Sequence, residues 1–203
     1  MTDLPSSAIN SRQEHIQSIL NLLNTYKIDE RHTFQVARFC LVLFDDLSSL
    51  HQLGEEEKFY LECGALLHDI GWPEGYKGHH KASLNVILTT KLLKFENKER
   101  LIIGSIARYH RKSEPDLKHD HFAALSESEQ KVVTTLAAIL RVADGLDRSH
   151  RNRINGFTTT INEKKIVLHC QSYAPAYMEE EAALKKAGLF EKVFDRKLEI
   201  KWK

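Results

Sequence analysis

Ala65-Leu66-Leu67-His68-Asp69-Ile70-Gly71 is an apolar run that ends in a histidine and a carboxylate side by side and then stops at a glycine. Phe59, Cys63, Leu66, Leu67 and Ile70 follow the spacing of a buried helix face, which places His68 and Asp69 at the rim of a core. Consecutive helical residues point about 100° apart. A long imidazole and a short carboxylate can still converge on one ion above the last turn, and the second carboxylate oxygen is left for a second ion. The same dyad also reads as an ordinary helix end, with a protonated histidine favoured by the C-terminal dipole and an aspartate capping the next turn.

The segments on the N-terminal side supply packing and one further histidine. Ser6 to Tyr26 carries Ile9, Ile16, Ile19, Leu20, Leu22 and Leu23 in a helical pattern. Asp29 is a suitable N-cap for a helix from Glu30 to about Leu50, with an apolar face through Phe34, Ala37, Leu41, Phe44 and Leu47. His32 stands in its first turn, where a lone histidine reads as a surface or half-buried residue. The helix that contains the dyad opens near Glu55.

On the C-terminal side, Gly71-Trp72-Pro73-Glu74-Gly75-Tyr76-Lys77-Gly78 reads as a loop able to frame a pocket. His79-His80-Lys81 then opens a helix whose expected buried side is Leu84, Ile87, Leu88, Leu92 and Leu93. From Glu99 to Arg111, Ile103, Ala107 and His110 share one face, so His110 points inward or into a cleft, and Arg111-Lys112 adds positive charge. Ser113 to Leu125, with His119, Asp120 and His121, reads as a loop or lid. Ser126 to Arg148 is a helix with a capping-box start whose apolar run is interrupted by Asp144. A buried aspartate is paired or binds metal, and Arg148 one turn on is the obvious pairing partner. Arg148-Ser149-His150-Arg151-Asn152-Arg153 is a basic patch suited to oxyanions.

After Ile154 the period changes. Phe157–Ile161 and Lys165–Cys170 read as a β-hairpin around Asn162-Glu163-Lys164, followed by a helix from about Met178 to Phe194 and a strand from Lys197 to Trp202. The expected architecture is mainly α, with residues 1–153 as a helical domain and residues 154–203 as a small α/β subdomain in which no catalytic chemistry is foreseen.

With 203 residues, 42% of them hydrophobic, the chain can bury a full core. Lysine plus arginine (29) nearly balance aspartate plus glutamate (28), so the broad basic field of a duplex nucleic-acid binder is missing and any anion site is local. The odd set Cys40, Cys63 and Cys170 reads as reduced, mostly core thiols of a cytoplasmic protein. No apolar stretch reaches the roughly 20 residues of a membrane span, and Met1-Thr2-Asp3-Leu4-Pro5 lacks the features of an export signal.

Taken in order, His32, His68-Asp69, His79-His80, His110 and Asp144 resemble the H…HD…H…H…D pattern of the HD superfamily of metal-dependent phosphohydrolases. With their flanks, Ala65–Gly71, His79–Lys81, Ile106–Lys112 and Leu140–His150 look like the C-terminal region of the exopolyphosphatase and guanosine pentaphosphatase family. That resemblance implies an HD-type helical core with His32, His68, Asp69 and Asp144 on a first metal. It also implies His110 with His79 or His80 on a second, Asp69 bridging. Two actin-like ATPase-type domains precede this region in that family and are not in this sequence, so the expectation is a free-standing HD module. Imidazole and carboxylate donors suit Mn²⁺, Fe²⁺, Co²⁺, Ni²⁺ or Zn²⁺, with Mg²⁺ the less favoured choice. Asp69, His110 and Lys81 are the expected catalytic residues, and Arg108, Arg111, Lys112 and Arg148 are expected to hold a small phosphorylated substrate. Three readings stand side by side: a phosphohydrolase, a regulatory module that binds guanosine tetraphosphate-like nucleotides or polyphosphate without turnover, and an interaction module that self-associates as a homodimer through the hairpin edge.

Overall fold

A computed structural model describes residues 6–75 and 77–203, with side chains from residue 11 onward. The Met1–Pro5 lead, the Ile9 side chain and Tyr76 lie outside the described residues. In chain order the elements are α1 (Ser6–Tyr26), α2 (Glu30–Asp46), the short α3 (Ser48–His51), α4 (Glu55–Leu67), a 3₁₀ turn (Trp72–Glu74), α5 (His79–Thr89), α6 (Asn97–Arg108) and the one-turn α7 (Asp120–Ala123). There follow α8 (Glu127–Gly145), β1 (Ile154–Ile161), β2 (Lys165–Ser172), α9 (Tyr177–Lys186), α10 (Gly188–Phe194) and β3 (Lys197–Trp202). The protein is mainly α. Among the described residues no helix is long and apolar enough to cross a membrane.

The helix that carries the dyad is the centre of the molecule. α4 packs against α1, α2, α6 and α8, and every residue from Phe59 to Leu67 except Glu62 is buried. A helix enclosed on all sides has no polar face. His68 is fully enclosed, and Asp69, 8% exposed, sits at the rim where the core meets a cleft. The flanking helices bury part of their expected faces, Ala37, Phe44 and the C-cap Leu47 of α2 and Ile87 of α5, but not all of them. α2 buries His32, Val36, Phe39, Cys40 and Leu43 and leaves Phe34 exposed. α5 buries His79, His80, Ser83, Val86 and Ile87, while Leu88 faces solvent; Leu92, beyond the end of the helix, is also exposed. In each case a histidine of the first turn is buried as well.

Two glycines permit backbone approaches that fix the site. A Cβ on Gly71 would lie 2.3 Å from the Ser83 nitrogen and 2.4 Å from the His79 carbonyl oxygen, so only glycine lets the turn after the dyad rest on the start of α5. A Cβ on Gly145 would lie 2.5 Å from the Ala183 Cα, which shows how closely α9 is seated on the end of α8.

The predicted single helix from Met178 is divided between α9 and α10, because the chain must turn to return beside the hairpin. β1 and β2 are antiparallel, β3 lies parallel to β2, and the order is β1-β2-β3. The parallel pairing requires a crossover, which α9 and α10 provide. Buried apolar side chains run as one cluster from Ile19 to Leu198. Cys40, Cys63 and Cys170 are free and buried within it.

Candidate metal centre

Residues from five helices and their ends bring their polar atoms together. His32, His68 and Asp144 offer ligand atoms that lie within 4.8 Å of one another, as do Asp69, His79 and His110, and likewise His32, Asp69 and His150. Asp69 joins the groups. Its Oδ2 is 3.5 Å from His68 Nε2, while its Oδ1 is 3.2 Å from His79 Nε2 and 3.6 Å from His110 Nε2. The Asp144 Oδ1 is 3.7 Å from His32 Nε2.

Hydrogen bonds on the far side of the rings settle which nitrogen faces the site. The His68 Nδ1 lies 2.7 Å from the Ala65 carbonyl oxygen, and the His110 Nδ1 lies 2.7 Å from that of Ala107. A carbonyl only accepts, so each Nδ1 carries the proton and each Nε2 presents a lone pair. The His32 Nδ1 is 2.9 Å from Asp147 Oδ2, which directs the His32 Nε2 inward in the same way. His32 Nε2 and His68 Nε2 are buried and have no hydrogen-bond partner among the described residues. Unpaired lone pairs facing carboxylates are costly in a protein interior, and a divalent cation satisfies both. The donor set fits such an ion.

The electrostatics favour charged carboxylates beside neutral His68 and His110 rings. Burial would raise the Asp69 pKa, but His68, His79 and His110 hold it well below the ordinary carboxylate value. Burial acts likewise on Asp144 and is outweighed by Lys186, His110, His68 and His32. Burial keeps His68 below its ordinary pKa and His110 well below, against the pull of both aspartates. Burial also opposes charge on His32, yet the Asp147 hydrogen bond and the Asp144 and Asp69 charges leave its pKa raised. His150 stacks on His32, with ring centroids 3.6 Å apart and planes 6° apart, and its Nδ1 is 3.2 Å from the Asp29 carboxylate. Asp29 also caps α2, accepting from the His32 backbone nitrogen at 3.3 Å.

The group opens onto a cleft of about 370 Å³ whose cationic walls are Arg111, Lys112, Arg141, Arg148, Lys185 and Lys186. Lys112 and His150, both on its lining, have left-handed backbone with φ of 62° and 56°. Such conformations in non-glycine residues gather at functional sites. The family model for Ppx/GppA phosphatase, domain III, matches residues 15–192, most of the chain. The chain belongs to this family. No curated protein matches it in sequence.

In this domain III chain the structure collects most, but not all, of the residues singled out from sequence. His32, His68, Asp69, His79, His110 and Asp144 converge, and Arg111, Lys112 and Arg148 line the cleft. Between the two adjacent histidines, it is His79 that turns its Nε2 to Asp69, whereas the His80 Nδ1 is buried without a hydrogen-bond partner. Lys81 is exposed and outside the cleft lining, since two residues along α5 turn it to the opposite side from His79. Arg108 is buried away from the cleft, its guanidinium 5.6 Å from the Tyr109 ring centroid. Asp144 takes its ion pair from Lys186 of α9 rather than from Arg148, which stands exposed on the cleft wall.

Four contributors are not singled out in these roles from sequence: Asp147 and Ser83 as supports, His150 as a potential ligand, and Lys186. Asp147 has one signal, its spacing of three from Asp144 at a helix end. Ser83 accepts from the Gly71 nitrogen at 3.0 Å and donates to the His68 carbonyl at 2.7 Å. Lys186 brings the C-terminal segment, for which no catalytic chemistry is foreseen, into contact with the site through its ion pair with Asp144. It lies 42 residues beyond Asp144 on another element, and nothing in its local pattern marks it.

Proposed function

We propose that this chain is an HD-type, metal-dependent phosphohydrolase acting on a nucleotide, phosphomonoester or oligophosphate. The observation that carries the reading is the division of Asp69: one oxygen faces His68, beside His32 and Asp144, and the other faces His79 and His110. A carboxylate so placed is suited to bridge two ions, with His32, His68 and Asp144 on one and His79 and His110 on the other. Bound divalent ions would lower the pKa of water to give a nucleophile near neutral pH and would stabilise charge on the phosphoryl group.

The chain's own groups do the rest. The Ala65 and Ala107 carbonyls and Asp147 fix the imidazoles, so that little reorganisation accompanies binding. Lys112 and Arg148 offer charge-assisted hydrogen bonds to the distal oxygens of a phosphorylated substrate, and Arg111, whose Nη1 lies 3.4 Å from His79 Nε2, stands at the ligand group itself. Confinement of these cations to one cleft of a near-neutral chain favours small polyanions over duplex nucleic acid.

The test uses protein stripped by a chelator and reloaded with Mn²⁺, Fe²⁺, Co²⁺, Ni²⁺, Zn²⁺ or Mg²⁺, with phosphate release followed on a panel of phosphorylated substrates. Release that depends on added metal and is lost in Asp69→Ala supports the reading. Tight binding of guanosine tetraphosphate-like nucleotides or polyphosphate, without metal and without turnover, would replace it by the regulatory one.

A further inference from the structure

Asp144 divides its two oxygens in a way that assigns work to the C-terminal segment. Its Oδ1 faces the unpartnered His32 Nε2 at 3.7 Å, whereas its Oδ2 is ion-paired with the Lys186 ammonium. Lys186 also lines the basic cleft together with Asp69 and His110, and its side chain keeps 20% of its surface exposed. The ammonium thus sits at the junction between the ligand group and the space a phosphorylated molecule would enter.

Its backbone is held firmly. α9 is seated on α8 at Ala183 and Gly145, where no Cβ would fit. Arg141 donates from Nη1 to the Tyr109 carbonyl at 3.0 Å and from Nε to the Lys186 carbonyl at 3.5 Å, tying the ends of α6 and α9 together. A flexible four-carbon stem on a fixed anchor leaves the ammonium free to exchange one oxygen partner for another.

We propose that Lys186 is a phosphoryl-binding residue of this site, held by Asp144 until a divalent ion draws on the same carboxylate. This rests on the metal reading above. Charge on Asp144 is shared between two cations: an ion on Oδ1 weakens the hold of Oδ2 on Lys186 and repels the ammonium, which then finds its partner in a phosphoryl oxygen in the cleft. Lys186 opposes metal binding and promotes phosphate binding. A lysine that merely docked α9 would, when removed, loosen the helix and weaken both.

The test compares wild type with Lys186→Met and Lys186→Gln, with circular dichroism to establish the fold. Mn²⁺ binding is measured by calorimetry, and inorganic phosphate binding is measured on the Mn²⁺-loaded protein. The variants are expected to bind Mn²⁺ at least about tenfold more tightly, the scale of repulsion between a single and a double charge across one carboxylate even at the dielectric constant of water. Phosphate binding is expected to fall at least about tenfold, as for loss of a charge-assisted hydrogen bond. Weaker Mn²⁺ binding, unchanged phosphate binding, or failure of both variants to fold overturns the assignment while leaving the metal reading intact. A wild-type protein that binds no divalent ion overturns both.

Discussion

Asp69→Ala separates a metal centre from a structural helix end. The carboxylate meets three imidazoles at 3.2 to 3.6 Å, and burial holds two of them, His68 and His110, below their ordinary pKa. Loss of Asp69 then removes polar contacts rather than core packing, a cost of about 1 kcal/mol to the metal-free protein. Leu67→Ala, two residues earlier and fully buried, leaves a cavity that costs about 2 to 5 kcal/mol. In wild type, a divalent ion at about 100 times its Kd adds about 2.7 kcal/mol. For a chain of 203 residues each kcal/mol shifts Tm by about 2 to 4 °C, so metal raises wild-type Tm by about 5 to 11 °C. Thermal unfolding of the three proteins is followed by circular dichroism, with and without Mn²⁺. Leu67→Ala melts about 4 to 20 °C lower and keeps its metal shift. Asp69→Ala melts near wild type without metal and gains nothing when metal is added. If Asp69→Ala retains the full shift, or falls as far as Leu67→Ala, the division of its oxygens between two ions is wrong.

Gly71→Ala drives a methyl group into the backbone of α5 at Ser83 and His79, and should cost about 3 kcal/mol or more in urea denaturation and weaken metal binding through displacement of His79. Ser83→Ala leaves the Gly71 nitrogen without its partner and should cost about 1 to 3 kcal/mol by the same measurement. Burial, then the Arg108 charge, presses the His121 pKa down to about 4, so between about pH 6.5 and 4 the unfolded chain binds the proton first and stability falls as pH falls. His121→Leu should flatten urea-denaturation stability against pH across that window, and an unchanged slope refutes it. Replacing both Arg111 and Lys112 with alanine should raise KM more than it lowers kcat; loss of kcat alone would place one of them on the transferring group.

The mainly helical fold, the hairpin and last strand, the capped starts of α2 and α8, and the residue types of the site in their order are all legible in the linear chain. These are local properties: the 3.6 and 2.0 periods, cap chemistry, and polar residues placed where an apolar run ends. His68-Asp69 and Asp144 were legible because each breaks an apolar pattern at a cost that must be recovered. Which helix face meets which neighbour is set by long-range packing. Packing around α4 buried the dyad and took the first-turn histidines His32 and His79 into the site, while Phe34 and Leu88 stayed exposed. The same packing chose His79 over His80 and removed Arg108 and Lys81 from the cleft. Lys186 is the clearest case. Its contact with Asp144 arises because Gly145 admits α9 onto α8, and an approach between elements 42 residues apart in the chain leaves no periodic trace in either.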